Sequence, residues 1–400
     1  MSVIKDDNKK DLNLLNVISL GLGSIIGAGI FALLGQIILL TGQRTYLAFV
    51  VAGVAAIFSG YSYAKLAGRY PQSGGLTDYF HIAFKNKFTS GGLSLIYMIA
   101  SAVSIAMLAK SFGIYAVELV NPTQNHLLYT NIFAVGLTLI LAWLNMQTAS
   151  DVGWVETFIV IIKLSILFII IAASYCQPDL KISDISAKHV EHLDFLRSVG
   201  ITFFAYAGYG VITNAAANVK KPKRTMSLAI YITLIIVMLI YLNLAYVVLN
   251  YTPKADLLHD TETSIAIVAN KLLGHWGYYF LYLAAGLAFI SGINATFFSM
   301  FRISQALGKF KVLPKLYTIA LTKNATYGNA FTTMLIVLSI VFLDFSSIVN
   351  LSSAAFLLSY LGIFAANWKL RKETKSSENI ILLGSALMSI ILVGFIVSLV

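Results

Sequence analysis

Two features of this 400-residue chain carry residue types that can do chemistry in apolar surroundings. The first is Gly21-Leu-Gly-Ser-Ile-Ile-Gly-Ala-Gly-Ile-Phe31, which sets four glycines inside an apolar run from about Leu14 to Leu40. That run is long enough to cross a bilayer, which takes about 20 residues. Each glycine in a helix interior costs about 1 kcal/mol against alanine. A helix interrupted near Gly27 would offer the N–H groups of Gly27, Ala28 and Gly29 at a positive dipole end, enough to hold a carboxylate without an arginine. The half before the interruption would end in bare carbonyls, from Ser24, Ile25 and Ile26, suited to an ammonium group. The competing reading is a small-residue surface that lets helices pack closely.

The second feature is Lys163, in Val160-Ile-Ile-Lys-Leu-Ser-Ile166, with apolar neighbours on both sides. An ionisable group that deep in a bilayer costs several kcal/mol and marks a functional site by default. An amine held there can load and release a proton. Its competing reading is a snorkelling lysine, which works well only near a helix end.

The elements that must position these residues are membrane helices. The chain is 58% hydrophobic and 11% charged, with a mean hydropathy of +0.82, and its apolar runs continue nearly end to end. It reads as one polytopic all-α membrane domain over residues 1–400. Eleven spans are expected, at about 14–40, 46–67, 91–117, 127–146, 153–175, 195–219, 226–250, 276–307, 328–343, 346–368 and 379–400. The segment from Thr263 to Leu273 is too short to cross and reads as a loop helix capping the site.

The formal charge of +11 lies in short loops between spans, so it reports orientation and not nucleic-acid binding. One side carries Lys5, Lys9, Lys10, Arg69, Lys220, Lys221, Lys223, Arg224, Lys309, Lys311, Lys369 and Arg371 among others. The opposite side has only Arg44, Lys181, Lys188, Arg197, Lys254 and Lys271. The amino terminus is therefore expected in the cytoplasm, of a multi-pass protein of the cell membrane. The basic start is followed by too long an apolar run for a cleaved signal. A single cysteine, Cys176, and six scattered histidines give no disulfide and no metal-ligand spacing. No cofactor, no metal and no obligatory protein partner is expected; the surroundings are the lipid bilayer.

A second interruption is written into span six, where Phe203-Phe-Ala-Tyr-Ala-Gly-Tyr-Gly210 again puts glycines and small residues at mid-membrane depth. Span one opens from the cytoplasm and span six from outside. Units of about 12–175 and 195–368 would thus be inverted repeats, with 379–400 as an extra helix. Broken helices at matching positions of inverted halves point to a midplane binding site. That match favours a site over mere packing at Gly27. Carbonyls of Phe204, Ala205 and Ala207 would join those of span one. Tyr206 is either a gate over the pocket or an aromatic in ordinary helix packing.

These residues resemble the amino acid–polyamine–organocation (APC) superfamily. Gly23-Ser-Ile-Ile-Gly-Ala-Gly-Ile-Phe31 is similar to its first-helix motif. Tyr63-Ala-Lys-Leu-Ala-Gly-Arg-Tyr-Pro-Gln-Ser-Gly-Gly75 resembles its second-helix ending and following loop. The span-six motif with Asn218-Val-Lys-Lys-Pro-Lys-Arg224 is similar to its sixth helix and exit loop, while Asn294, Arg302 and Leu313-Pro314 fit its eighth. The likeness covers about residues 12–370. Glu156-Thr-Phe-Ile-Val-Ile-Ile-Lys163 and Gly208-Tyr-Gly-Val-Ile-Thr-Asn214 look most like the ApcT type of proton-coupled amino acid permease. The chain departs from many relatives at Gly210, at Ala217-Asn218 and at Lys65, where they carry acidic residues, and it lacks a twelfth span.

The resemblance implies a LeuT-like fold of five plus five helices, with a zwitterionic amino acid held between helices one and six. It implies no enzyme activity and gives Lys163 the role of proton carrier. Proton-driven uptake by alternating access is the expected function, and exchange, export or a transport-inactive sensor are the alternatives. Among other polar residues, Lys110 is expected to snorkel from the outer end of span three, and Lys65 to face headgroups. Glu156 reads as a helix cap or an ion-pair partner. Ser291, Asn294 and Ser299 can line the site or bond across packed helices, and Asp78 and His81 belong to a loop helix.

Overall fold

A computed structural model describes residues 12–27, 29–72, 74–120, 125–147, 153–181, 185, 191–259 and 261–399; of residues 153–156 only the backbone is described. The described residues fold as helices joined by short links, with two isolated backbone bridges, Leu12–Val219 and Ala320–Thr326. The helices are α1 (Leu14–Ile25), α2 (Gly29–Thr41), α3 (Thr45–Arg69), α4 (Leu76–Ala83) and α5 (Lys87–Val120). They continue as α6 (His126–Gln147), α7 (Gly153–Cys176), α8 (His192–Tyr206), α9 (Pro222–Tyr251) and α10 (Lys254–His259). The last are α11 (Ser264–Lys309), α12 (Tyr327–Phe342), α13 (Phe345–Lys369), α14 (Arg371–Thr374) and α15 (Glu378–Val397). Among the described residues nine helical stretches are long and apolar enough to cross a membrane, and α1 and α12 are shorter apolar helices. The chain is a multi-pass membrane protein of the all-α class.

Local sequence explains where the helices start and stop. Asn13 and Asn16 form a reciprocal cap: the Asn16 N–H donates to Asn13 Oδ1 at 2.9 Å and the Asn13 N–H to Asn16 Oδ1 at 3.2 Å. Twelve residues later α1 ends, and Ile26 leaves the helical region at φ −79°, ψ 42°. The chain resumes as α2 at Gly29, so the first expected span is two half-helices. The sixth is interrupted likewise. Ala207 is extended and Gly208 takes φ +123°, a conformation that a side chain would strain. Beyond it the chain runs as a 3₁₀ helix from Tyr209 to Asn218.

The two interrupted spans cross in opposite directions. The first half of span one, α1, packs on the 209–218 segment, and the second half, α2, packs on α8. The Leu12 N–H also donates to the Asn218 carbonyl at 3.3 Å, placing the start of one span beside the end of the other. Around this pair, α3 lies along α9 and α5 along α11, so the interrupted spans are enclosed by long continuous helices.

The loop helix expected over 263–273 is present as the first part of α11. The backbone leaves the helical region at Gly274 (φ +62°, ψ −157°), so this part meets the following span at a break.

Candidate functional site

The two breaks face each other. A β-carbon on Gly208 would lie 3.0 Å from both the carbonyl and the hydroxyl oxygen of Ser24, so the bend of span six rests on the end of α1. Just beyond the breaks the half-helices touch: a β-carbon on Gly29 would lie 2.4 Å from Ala205 Cα. Only glycine lets α2 approach α8 that closely. Gly27 faces another helix, its would-be β-carbon lying 3.3 Å from the Ala288 carbonyl and 3.5 Å from Gly292 Cα in α11. The glycines thus serve both a break and close packing.

Lys163 projects from α7 to this junction. Its side chain is fully buried, and Nζ donates to the Gly23 carbonyl at 2.9 Å. In an unbroken helix that carbonyl would accept from the Gly27 N–H. Because the helix ends at Ile25, the carbonyl turns to the amine of another helix.

Tyr241 on α9 is the residue that sequence reasoning missed. Its hydroxyl lies 2.9 Å from the Ala205 carbonyl and 3.2 Å from that of Ile25. One O–H proton serves the last turns of α1 and α8 together, which ties the two breaks through a third helix. A tyrosine in an apolar run has no spacing signal to separate this use from ordinary packing.

The remaining expected site residues fall as follows. Ile25, Ile26, Gly27, Gly29, Phe204, Ala205 and Tyr206 are buried, and Ser24 and Ala207 are partly exposed. Ala28 lies outside the described residues. The Ala207 N–H donates to the carbonyls of Phe203 and Phe204 at 3.1 and 2.9 Å, closing the last turn of α8. The Phe204 ring packs against Phe356 of α13, with centroids 5.5 Å apart. The Tyr206 hydroxyl donates to the Phe49 carbonyl at 3.2 Å, and its ring packs on Phe49 and Tyr241. It sits in the seam with α3 and α9, beside the Tyr241 that bonds the carbonyls of both breaks. Behind the break, the Gly208 N–H donates to the Tyr360 hydroxyl at 3.3 Å, and Ser59 and Tyr209 share a hydrogen bond between hydroxyls.

On the far side of α2, a second tyrosine binds segments together. The Tyr115 hydroxyl donates to the Phe31 carbonyl at 2.8 Å and lies 3.3 Å from the Glu262 carbonyl. The turn at 261–263 is pressed onto Gly35, whose β-carbon would meet the Thr261 carbonyl.

The weaker expectations fall as follows. Lys110 is 4% exposed and donates to the carbonyl of Leu343, just past the last residue of α12 and beside the exposed Asp344. A freed helix-end carbonyl satisfies the amine there. Lys65 donates to the Lys375 carbonyl at 3.0 Å, so it ties α3 to the link after α14 and does not only face headgroups. Asn294 Oδ1 accepts from Asn145 Nδ2 at 2.7 Å, a bond across packed helices. Asn214 Nδ2 reaches Ser299 Oγ at 3.5 Å, and Ser291 is buried. In α4, Asp78 accepts from the Gly74 N–H at 2.9 Å, and partial burial holds its carboxyl above the usual range against the pull of that bond and of His81. His81 stacks on Phe310. The side chain of Glu156 lies outside the described residues. Among the described residues no group of three or more His, Cys, Asp or Glu can hold a metal ion.

Comparison with known proteins agrees with this arrangement. A family model described as amino acid permease matches residues 12–400. The inner membrane transport protein YbaT of Escherichia coli is 38% identical over 401 residues, covering 100% of this chain and 93% of its own. An uncharacterized protein of Methanocaldococcus jannaschii is 29% identical, over 94% of this chain and 86% of its own. The vacuolar cationic amino acid transporter 4 of Arabidopsis thaliana is 26% identical, over 79% of this chain and 56% of its own.

Proposed function

This chain belongs to the amino acid permease family, and from that premise we propose that it is a secondary transporter that takes up amino acids together with protons. The observation that carries the proposal is Lys163 Nζ at 2.9 Å from the Gly23 carbonyl. A buried amine against the end of a broken helix links a proton-binding group to the backbone that would read the substrate.

The substrate's carboxylate is assigned to the N–H groups that open α2, those of Gly27, Ala28 and Gly29, where the helix dipole favours a negative group. Its ammonium is assigned to carbonyls at the ends of α1 and α8, from Ser24, Ile25 and Ile26 and from Phe204, Ala205 and Ala207. These groups read the backbone common to all α-amino acids. Phe204 and its neighbour Phe356 stand beside the break and are candidates for reading the side chain.

Protonated Lys163 makes a charge-assisted bond to Gly23, about twice as strong as a neutral one. Loss of the proton weakens the tie between α7 and α1. Alternating access follows if α1 swings when that tie loosens, so that proton and amino acid leave on the same side. Each proton that enters with the substrate makes about 2.3 kcal/mol available per 100 mV of membrane potential. The amino terminus and the Lys- and Arg-rich loops are assigned to the cytoplasm on their charge.

The test is uptake of neutral amino acids into proteoliposomes without sodium. Acceleration by an inward proton gradient is expected, and uptake that requires sodium and ignores the gradient contradicts the proposal.

A further inference from the structure

Where α13 and α15 meet α14, the two long helices leave an open groove of about 670 Å³ between them. Its lining is mostly apolar and includes the buried Phe364 and the exposed Ala365 of α13 and Leu382 of α15. One end carries two aromatic rings and two cations. Lys369 Nζ lies 5.0 Å from the centre of the Phe84 ring, and the Arg371 guanidinium 4.4 Å from that of Trp368. The guanidinium is further fixed by bonds to Glu378 Oε1 at 2.6 Å and to the Trp368 carbonyl at 3.0 Å. The Lys369 side chain is exposed at the mouth.

An apolar trough that ends in cations against aromatic rings is complementary to an acyl chain that ends in a phosphate. A tryptophan such as Trp368 marks headgroup depth in membrane proteins. Charge selects among lipids: residues 369–378 hold Lys369, Arg371, Lys372 and Lys375 against Glu373 and Glu378. This end also belongs to the side assigned to the cytoplasm, whose leaflet carries the anionic lipids. Ala365 is exposed and has the smallest side chain in the lining, leaving the depth an acyl chain would occupy.

We propose that this groove is a binding site for one anionic glycerophospholipid. Its phosphate is held by Lys369 beside Arg371, and one acyl chain lies over Ala365. The site is separate from the transport reading and stands or falls without it.

Native mass spectrometry of the purified protein tests this, with phosphatidylglycerol and phosphatidylcholine of matched chains as probes. The wild type is expected to retain phosphatidylglycerol in preference to phosphatidylcholine. Lys369→Gln should reduce that preference about fivefold. Ala365→Trp should remove retention while the melting temperature of the protein is unchanged. Equal retention of the two lipids by the wild type overturns the proposal, as does phosphatidylglycerol retention that survives both variants. Glycerol phosphate competing as well as the whole lipid would make it a free-anion site. A disulfide formed between two copies through Leu382→Cys would make it a protein contact. Either result overturns the lipid assignment.

Discussion

Lys163 of α7 and Gly23 of α1 are 140 positions apart, yet the lysine amine donates to the glycine carbonyl at 2.9 Å. That carbonyl is available because the helix stops two residues later. An amine buried in apolar surroundings and a backbone carbonyl without its helical partner are each costly alone. Together they offset one another, which makes the pair sensitive to anything that moves α1.

The contact between Gly29 and Ala205 has a measurable consequence. A methyl group at position 29 would lie 2.4 Å from Ala205 Cα, where a backbone atom cannot give way as a side chain tip can. Gly29→Ala should separate α2 from α8 and abolish amino acid binding, while the protein still inserts and elutes as a single species. Isothermal titration with the preferred amino acid checks this, and wild-type affinity would count against the site. At Gly27 the nearest atoms are 3.3 Å away, so Gly27→Ala should be milder and Gly27→Val as severe as Gly29→Ala.

Tyr241→Phe removes one hydroxyl that serves both Ile25 and Ala205. The loss of a buried hydrogen bond costs about 1 kcal/mol, and the ring remains to fill its volume. The variant should fold and melt a few degrees lower. Its substrate affinity should fall about tenfold, because the ends of α1 and α8 lose their common tie. An affinity equal to the wild type would reduce Tyr241 to packing.

Much of this arrangement was legible in the sequence, and the limits have physical causes. Glycines at mid-membrane depth are costly enough to announce both breaks, one near Gly27 and one within Phe203–Gly210, where the structure has it at Ala207–Gly208. The short helix over Thr263–Leu273 was legible because eleven residues cannot cross a bilayer, and the non-helical Gly274 ends it where the reading did. The partner of Lys110 was not legible, because the Leu343 carbonyl is 233 positions away and is freed only by the end of α12. Tyr206 and Tyr241 look alike in sequence, and only the crossing of α8, α3 and α9 separates them.

The cap of α13 offers a test of stability. Asp344 accepts from the Ser347 N–H at 3.0 Å and from the Ser347 hydroxyl at 2.5 Å, and these bonds hold its carboxyl below the ordinary range. A folded-state value below the unfolded one means that the contribution is present at neutral pH and is lost as pH falls through the depressed value. Asp344→Ala should cost about 1 kcal/mol, read as a lower melting temperature, and Asp344→Asn should recover most of it. The difference between wild type and Asp344→Ala should shrink in acid; a constant difference would assign the effect to packing.

Lys163→Ala, compared with the wild type in proteoliposomes at several external pH values, tests the central claim most directly. The wild type should accumulate amino acid against its gradient when the outside is acidic. The variant should still exchange labelled for unlabelled amino acid, which shows that it is folded and binds, but without accumulation and with a rate that no longer follows pH. Gradient-driven accumulation in Lys163→Ala with wild-type pH dependence would contradict the assignment of the proton to this lysine.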